Sequence, residues 1–152
     1  MRVWRLTSKR FQRFDGQGAS LRGGRWNHHG TAVVYVSGSL SLAVLELFVN
    51  VEKNFVPDDL VAISADIPDN LRIERVEVAQ LSSTWRSYPP PEFAKEIGST
   101  WAATGLSVAL SVPSAVIPLE RNDLLNPKHK DFRLIQIGKP LPFRFDPRMW
   151  KN

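Results

Sequence analysis

The stretch "AVVYVSGSLSLAVLELFVNV" at 32–51 limits the possible folds more than any other part of the chain. Its opening residues, 32–37, are β-branched and aromatic, and they predict a strand buried on both faces. Residues 38–51 follow with good helix formers, and Ser39 or Ser41 is placed to cap a helix. One carboxylate, Glu46, interrupts this otherwise apolar segment. Its neighbours three and four residues away are Leu42, Ala43, Val49 and Asn50, and no basic residue stands one turn off to pair with it. Spacing alone reads Glu46 as an exposed glutamate on a partly covered helix. A buried carboxylate there would need hydrogen bonds or a cationic ligand to stay ionised.

The other segments predict an α+β chain. Strands are expected at 2–6, 60–68, 107–118 (broken at Pro113), 132–138 and 142–145, and a second helix over 89–105 between a proline-rich start and Gly105. The glycine-rich run 16–30, "GQGASLRGGRWNHHG", reads as an exposed loop. Strands mixed irregularly with two helices do not suit a doubly wound parallel sheet. The 152 residues, without repeats or linker-like runs, fit one domain over 1–152. No apolar run reaches the roughly 20 residues a bilayer span requires. The N-terminus has no secretory pattern, so a soluble cytoplasmic protein without membrane contact is expected.

Absences narrow the chemistry. There is no cysteine, which excludes disulfides, thiol catalysis and cysteine–zinc sites. His28 and His29 are adjacent and His129 stands alone, so the i, i+4 spacing of helical metal ligands is missing and no metal is expected. "VPSAV" at 112–116 is not a nucleophile elbow, and "GGRWNHHG" matches neither standard nucleotide loop. Glycines beside Arg25 still make an anion site through backbone N–H groups and a guanidinium, an alternative to a plain flexible loop.

Charge is unevenly spread. Residues 1–45 carry seven Arg and Lys against the single acid Asp15, whereas 46–96 carry five bases and ten acids. Basic ends around an acidic middle suit a phosphate-bearing ligand, an acidic partner or nucleic acid. A pI near 9.9 with five Trp and eight Phe keeps a basic nucleic-acid-binding module as the alternative function.

Six local motifs follow one another along the chain: "WR" (4–5), "GGRWN" (23–27), "AVVYVS" (32–37), "SLAVLE" (41–46), "VPSAVIP" (112–118) and "LLNPKH" (124–129). In this order they resemble the RES-domain toxins of bacterial toxin–antitoxin modules. The resemblance places the family arginine on Arg25, its tyrosine on Tyr35, its glutamate on Glu46 and its serine on Ser114, with Ser111 close by as the alternative. It implies an ADP-ribosyltransferase-like fold, a central sheet flanked by helices around a cleft for NAD⁺. The implied reaction breaks the nicotinamide–ribose bond and passes ADP-ribose to water, phosphate or a target protein. On that expectation Glu46 stabilises a cationic ribose and Arg25 meets the pyrophosphate. Tyr35 stacks or hydrogen-bonds, Ser114 bonds ribose or phosphate, and Arg5 and Asn126 are further ligand contacts. The implied partner is an Xre-like, DNA-binding antitoxin that blocks the cleft, with no direct nucleic-acid binding by the toxin itself.

Overall fold

A computed structural model describes residues 1–151. Its centre is an eight-stranded sheet made of β1 (Arg2–Ser8), β2 (Val34–Ser37), β3 (Leu60–Asp66), β4 (Ile73–Arg75), β5 (Ala109–Pro113), β6 (Arg121–Leu125), β7 (Gln136–Ile137) and β8 (Leu141–Pro142). The strand order is β4-β5-β6-β2-β1-β3-β7, with β8 also paired to β3. Only β4 and β5 run parallel; the other pairs are antiparallel. Three helices complete the α+β architecture: α1 (Gln17–Arg22), α2 (Leu40–Phe48) and α3 (Glu92–Thr104).

Register and the two-residue period of strands sort the side chains into two faces. Trp4 lies opposite Ser37, Ser37 opposite Asn122 and Tyr35 opposite Leu124, so these share one face. The helices cover that face. Ala43 of α2 packs with Leu6, Leu60 and Ala62, and Ala94 and Trp101 of α3 pack with Leu110, Val112 and Leu124. On the other face Val3, Val34, Val36, Ile63 and Leu125 meet Phe14, Ile67 and Ile135, which come from connecting segments.

The capping signals work as the residues suggest. The Ser39 hydroxyl accepts from the Leu42 N–H at 3.1 Å and starts α2. Gly105 ends α3 in the left-handed region at φ 63. Three expectations are corrected. The run 16–30 is not loop throughout: Asp15 Oδ1 accepts from the Gln17 N–H and α1 follows. Residues 132–138 hold only the two-residue β7. The His129 ring accepts from the Asp131 N–H and folds 130–134 into a 3-10 turn instead. The third correction is β6, "RNDLL", an interior strand where no strand was expected.

Interior placement of β6 buries an acid. Asp123 is 4% exposed, and burial pushes its carboxyl up to about 6, against the opposing pull of the Ser111 hydroxyl and Arg121. Below pH 3.8 the group is protonated whether the chain is folded or not. Between 3.8 and about 6 the folded protein keeps a proton that the unfolded chain has lost, so this group's support for the fold declines as pH rises through that window. Asp123→Asn removes the titration. Its stability relative to wild type is expected to rise between pH 4 and pH 7 by on the order of 3 kcal/mol. Urea unfolding of both proteins at the two pH values measures this, and a constant difference would contradict it.

Candidate active site

Glu46 projects from the middle of α2 toward the sheet. Its Oε1 accepts two hydrogen bonds, from Ser114 Oγ at 2.6 Å and from Asn122 Nδ2 at 2.6 Å. Asn122 is itself oriented, because its Oδ1 accepts from Ser37 Oγ at 2.7 Å. Ser114 is fully buried. Its hydroxyl donates to Glu46 and accepts from the N–H groups of Val116 and Ile117 at 3.1 and 3.0 Å. A hydroxyl has one donor and two acceptor positions, so Ser114 is saturated and serves to aim the carboxylate. Both of these bonds go to Oε1. No buried side-chain oxygen or nitrogen among the described residues lacks a partner, so Oε2 is open to solvent. The result is a carboxylate fixed on one oxygen and free on the other.

Arg25 approaches from the "GGRWN" loop. Its Nη1 donates to the carbonyls of Trp85 at 2.9 Å and Ser87 at 3.0 Å, while Nε and Nη2 make no hydrogen bond among the described residues. Partial burial lowers the Arg25 pKa, and the nearby Glu46 carboxylate pulls it back up. Tyr35 on β2 supports this loop. Its hydroxyl donates to Asn27 Oδ1 at 2.7 Å and accepts from the Trp26 N–H at 3.0 Å. Burial pushes the Tyr35 pKa well above the ordinary phenol value, so the hydroxyl keeps its proton. Gly24 makes the contact possible, since a Cβ there would stand 2.7 Å from the Tyr35 hydroxyl and 2.9 Å from Asn27 Oδ1. The loop is also pinned to α3. The His28 N–H donates to Ser99 Oγ at 2.8 Å, and the His28 ring lies 2.9 Å from Glu96 and 3.3 Å from Glu92.

Arg25, Tyr35, Glu46 and Ser114 therefore converge on the helix-covered face, drawn from a loop, a strand, a helix and a strand end. Ser111 does not join them. It lies on the opposite face, where its hydroxyl accepts from Arg121 Nε at 2.8 Å. Arg5 also points to that opposite face, between Val3 and Thr7, with its Nη1 donating to the Arg13 carbonyl and its guanidinium over the Phe14 ring. Burial lowers the Arg5 pKa to about 10. Asn126 stands four residues beyond Asn122, roughly 13 Å along the strand at about 3.3 Å per residue. Its side chain holds the Ala102 carbonyl and the Lys128 N–H, locking the end of α3 to the sheet. The structure brings neither Arg5 nor Asn126 to Glu46.

A family model described as RES domain matches residues 2–146. The chain belongs to the RES family. This RES domain is 41% identical to a protein named "Toxin Res" from Photorhabdus laumondii, over 99% of this chain and 98% of that one. A "Toxin Res" from Yersinia enterocolitica is 36% identical over 98% of this chain and 99% of its own length. A "Prs ADP-ribosylating toxin" from a Sphingobium species is 35% identical over 96% and 94%. Among solved structures, a chain in the crystal structure of the M. tuberculosis MbcT-MbcA toxin-antitoxin complex shares the fold with TM-score 0.72. It covers 93% of this chain and 83% of that one at 15% identity. No helix among the described residues of this RES domain is long and apolar enough to cross a membrane.

Three participants were missed in the sequence. Asn122, which holds Glu46, sits in "ERND", a run whose polar character reads as a turn. The Trp85 and Ser87 carbonyls, which hold Arg25, carry no side-chain signal at all.

Proposed function

We propose that this RES domain is the toxin of a toxin–antitoxin pair and that it consumes NAD⁺ by breaking the nicotinamide–ribose bond. The observation that carries the reading is the half-satisfied Glu46 carboxylate, clasped through Oε1 and open at Oε2, on the same face as Arg25. Membership of the RES family and the relative named as an ADP-ribosylating toxin support it, because NAD⁺ is the common donor of ADP-ribose.

The chemistry follows from the arrangement. As the bond between ribose C1′ and the nicotinamide nitrogen breaks, its electron pair leaves with nicotinamide, which becomes neutral, and positive charge builds on the ribose. Glu46 stands ready for that charge, and its open Oε2 can accept from a ribose hydroxyl. Because Ser114 and Asn122 hold the carboxylate in advance, little reorganisation accompanies the reaction. The free edge of Arg25 suits the diphosphate, and its bonds to two carbonyls fix the guanidinium plane. The half-buried Tyr35 ring offers a stacking surface to nicotinamide while its hydroxyl holds the loop. An acceptor oxygen or nitrogen then bonds C1′ and gives up its proton. The partner in this reading is an Xre-like, DNA-binding antitoxin that blocks the cleft.

Incubating purified protein with NAD⁺, with and without phosphate and cell lysate, tests the reading. Free nicotinamide should appear, and the mass of the ADP-ribose product should identify water, phosphate or a protein as acceptor. Unchanged NAD⁺ in every arm, together with salt-dependent affinity for DNA or RNA, would establish the nucleic-acid-binding alternative instead.

A further inference from the structure

The acidic middle of the chain contributes a second cation beside Arg25. Residues 85–87, Trp-Arg-Ser, bridge the "GGRWN" loop and the turn after β5, and three contacts fix them. Arg25 Nη1 holds the carbonyls of Trp85 and Ser87, the residues on either side of Arg86. The buried Trp85 ring packs against Trp26, next in sequence to Arg25, with centroids 6.4 Å apart. Arg86 Nε donates to the Ala115 carbonyl at 2.9 Å, one residue past the serine that clasps Glu46.

Each guanidinium is thus anchored through one nitrogen. Arg86 is exposed, and its two terminal nitrogens make no hydrogen bond among the described residues. Neither Arg25 nor Arg86 forms an ion pair with a carboxylate among those residues. The two are near enough that Arg86 lowers the Arg25 pKa. Glu46 offsets part of the charge at Arg25 without an ion-pair contact, and an anion offering several oxygens to both guanidinium groups relieves the repulsion that remains between them.

We propose that Arg86 is a substrate-positioning residue that seats the diphosphate of a dinucleotide together with Arg25. The proposal rests on the NAD⁺ reading and deepens it. The charges match in sign and order: a doubly negative diphosphate meets the two arginines, and the cationic nicotinamide riboside end meets Glu46. Arginine suits both tasks, since one nitrogen can keep the Ala115 carbonyl while the other two grip phosphate oxygens, which a lysine cannot do.

The test compares wild type, Arg86→Ala and Arg86→Lys in NAD⁺ turnover, and measures ADP-ribose binding by calorimetry, with nicotinamide riboside as the substrate lacking a diphosphate. Arg86→Ala should raise KM for NAD⁺ by roughly tenfold to a hundredfold with kcat changed far less, and weaken ADP-ribose to a similar degree. Arg86→Lys should recover only part of the loss, and turnover of nicotinamide riboside should be the same in all three. Equal losses on NAD⁺ and nicotinamide riboside would show a structural role and overturn the proposal. So would an ADP-ribose affinity unchanged by Arg86→Ala, or an absence of ADP-ribose binding to wild type. The calorimetric arm is independent of turnover, so a wild-type protein that binds ADP-ribose but leaves NAD⁺ intact would refute the reaction and still decide the role of Arg86.

Discussion

Glu46→Gln is expected to lower NAD⁺ consumption by at least about a hundredfold while leaving the fold in place. The substitution keeps the shape of the side chain and an oxygen at Oε1. The Ser114 hydroxyl and the Asn122 amide, both donors to that oxygen, therefore keep their partner. What disappears is the negative charge and the acceptor at Oε2. Removing one preorganised group from a developing charge costs about a hundred- to a thousandfold in rate. Glu46→Ala would be a less clean experiment, because it leaves two donors facing a hole. Rate by nicotinamide release and stability by thermal unfolding separate the two effects. A glutamine variant that consumes NAD⁺ at the wild-type rate would refute the role given to the carboxylate.

The second large effect comes from a residue with no side chain. Gly98 lies on the buried stripe of α3 with Ala94 and Trp101. A Cβ at this position would fall 1.7 Å from the Trp26 carbonyl oxygen and 2.8 Å from its carbonyl carbon. These are backbone atoms of the loop that carries Arg25, and Trp26 itself is only 3% exposed, so neither side can yield cheaply. Gly98→Ala should force α3 and the loop apart, destabilising the protein by about 3 kcal/mol or more. For a chain of this size the melting temperature should fall by roughly 6 to 12 °C, with activity lost even where the protein remains folded. Gly18→Ala makes the contrast. A Cβ there meets only the Phe11 ring at 3.5 Å, an ordinary contact, so the variant should be neutral or gain up to about 1 kcal/mol from a less flexible unfolded chain. If both variants melt alike, the close approach of helix and loop is not what holds the site.

Legibility from sequence followed the physics of each segment. Strands β1, β2 and β3 and helices α2 and α3 announce themselves through apolar period, capping serine, proline start and glycine stop, all local signals. Strand β6 does not. Arg121, Asn122 and Asp123 would suit a turn, and the strand exists because β2 and β5 supply both of its hydrogen-bonding edges. Tertiary pairing overrides local preference there. The same reason hid Asn122 as a partner of Glu46.

Glu46 posed the converse problem. Its neighbours on α2 gave it no partner, and the pattern pointed to solvent. The residues that hold it lie far along the chain, beyond any local window. The order of motifs led to Glu46, and the resemblance associated it with Arg25, Tyr35 and Ser114. It also named Arg5 and Asn126, whose side chains donate to the Arg13 and Ala102 carbonyls. Arg86 had no motif to reveal it, because its position depends on carbonyl groups that every residue possesses.

The separation of Glu46 from its clasp has a consequence for the life of the chain during translation. Ser114 follows the glutamate by 68 residues and Asn122 by 76. Helix α2 emerges from the ribosome, with its carboxylate unaimed, long before either partner has been synthesised. The centre of the sheet stays open until β6 inserts between β5 and β2, and such distant pairings form slowly. A nascent or truncated product ending before Ser114 carries the glutamate without either partner. The clasp that aims the carboxylate is thus complete only when the last interior strand is in place.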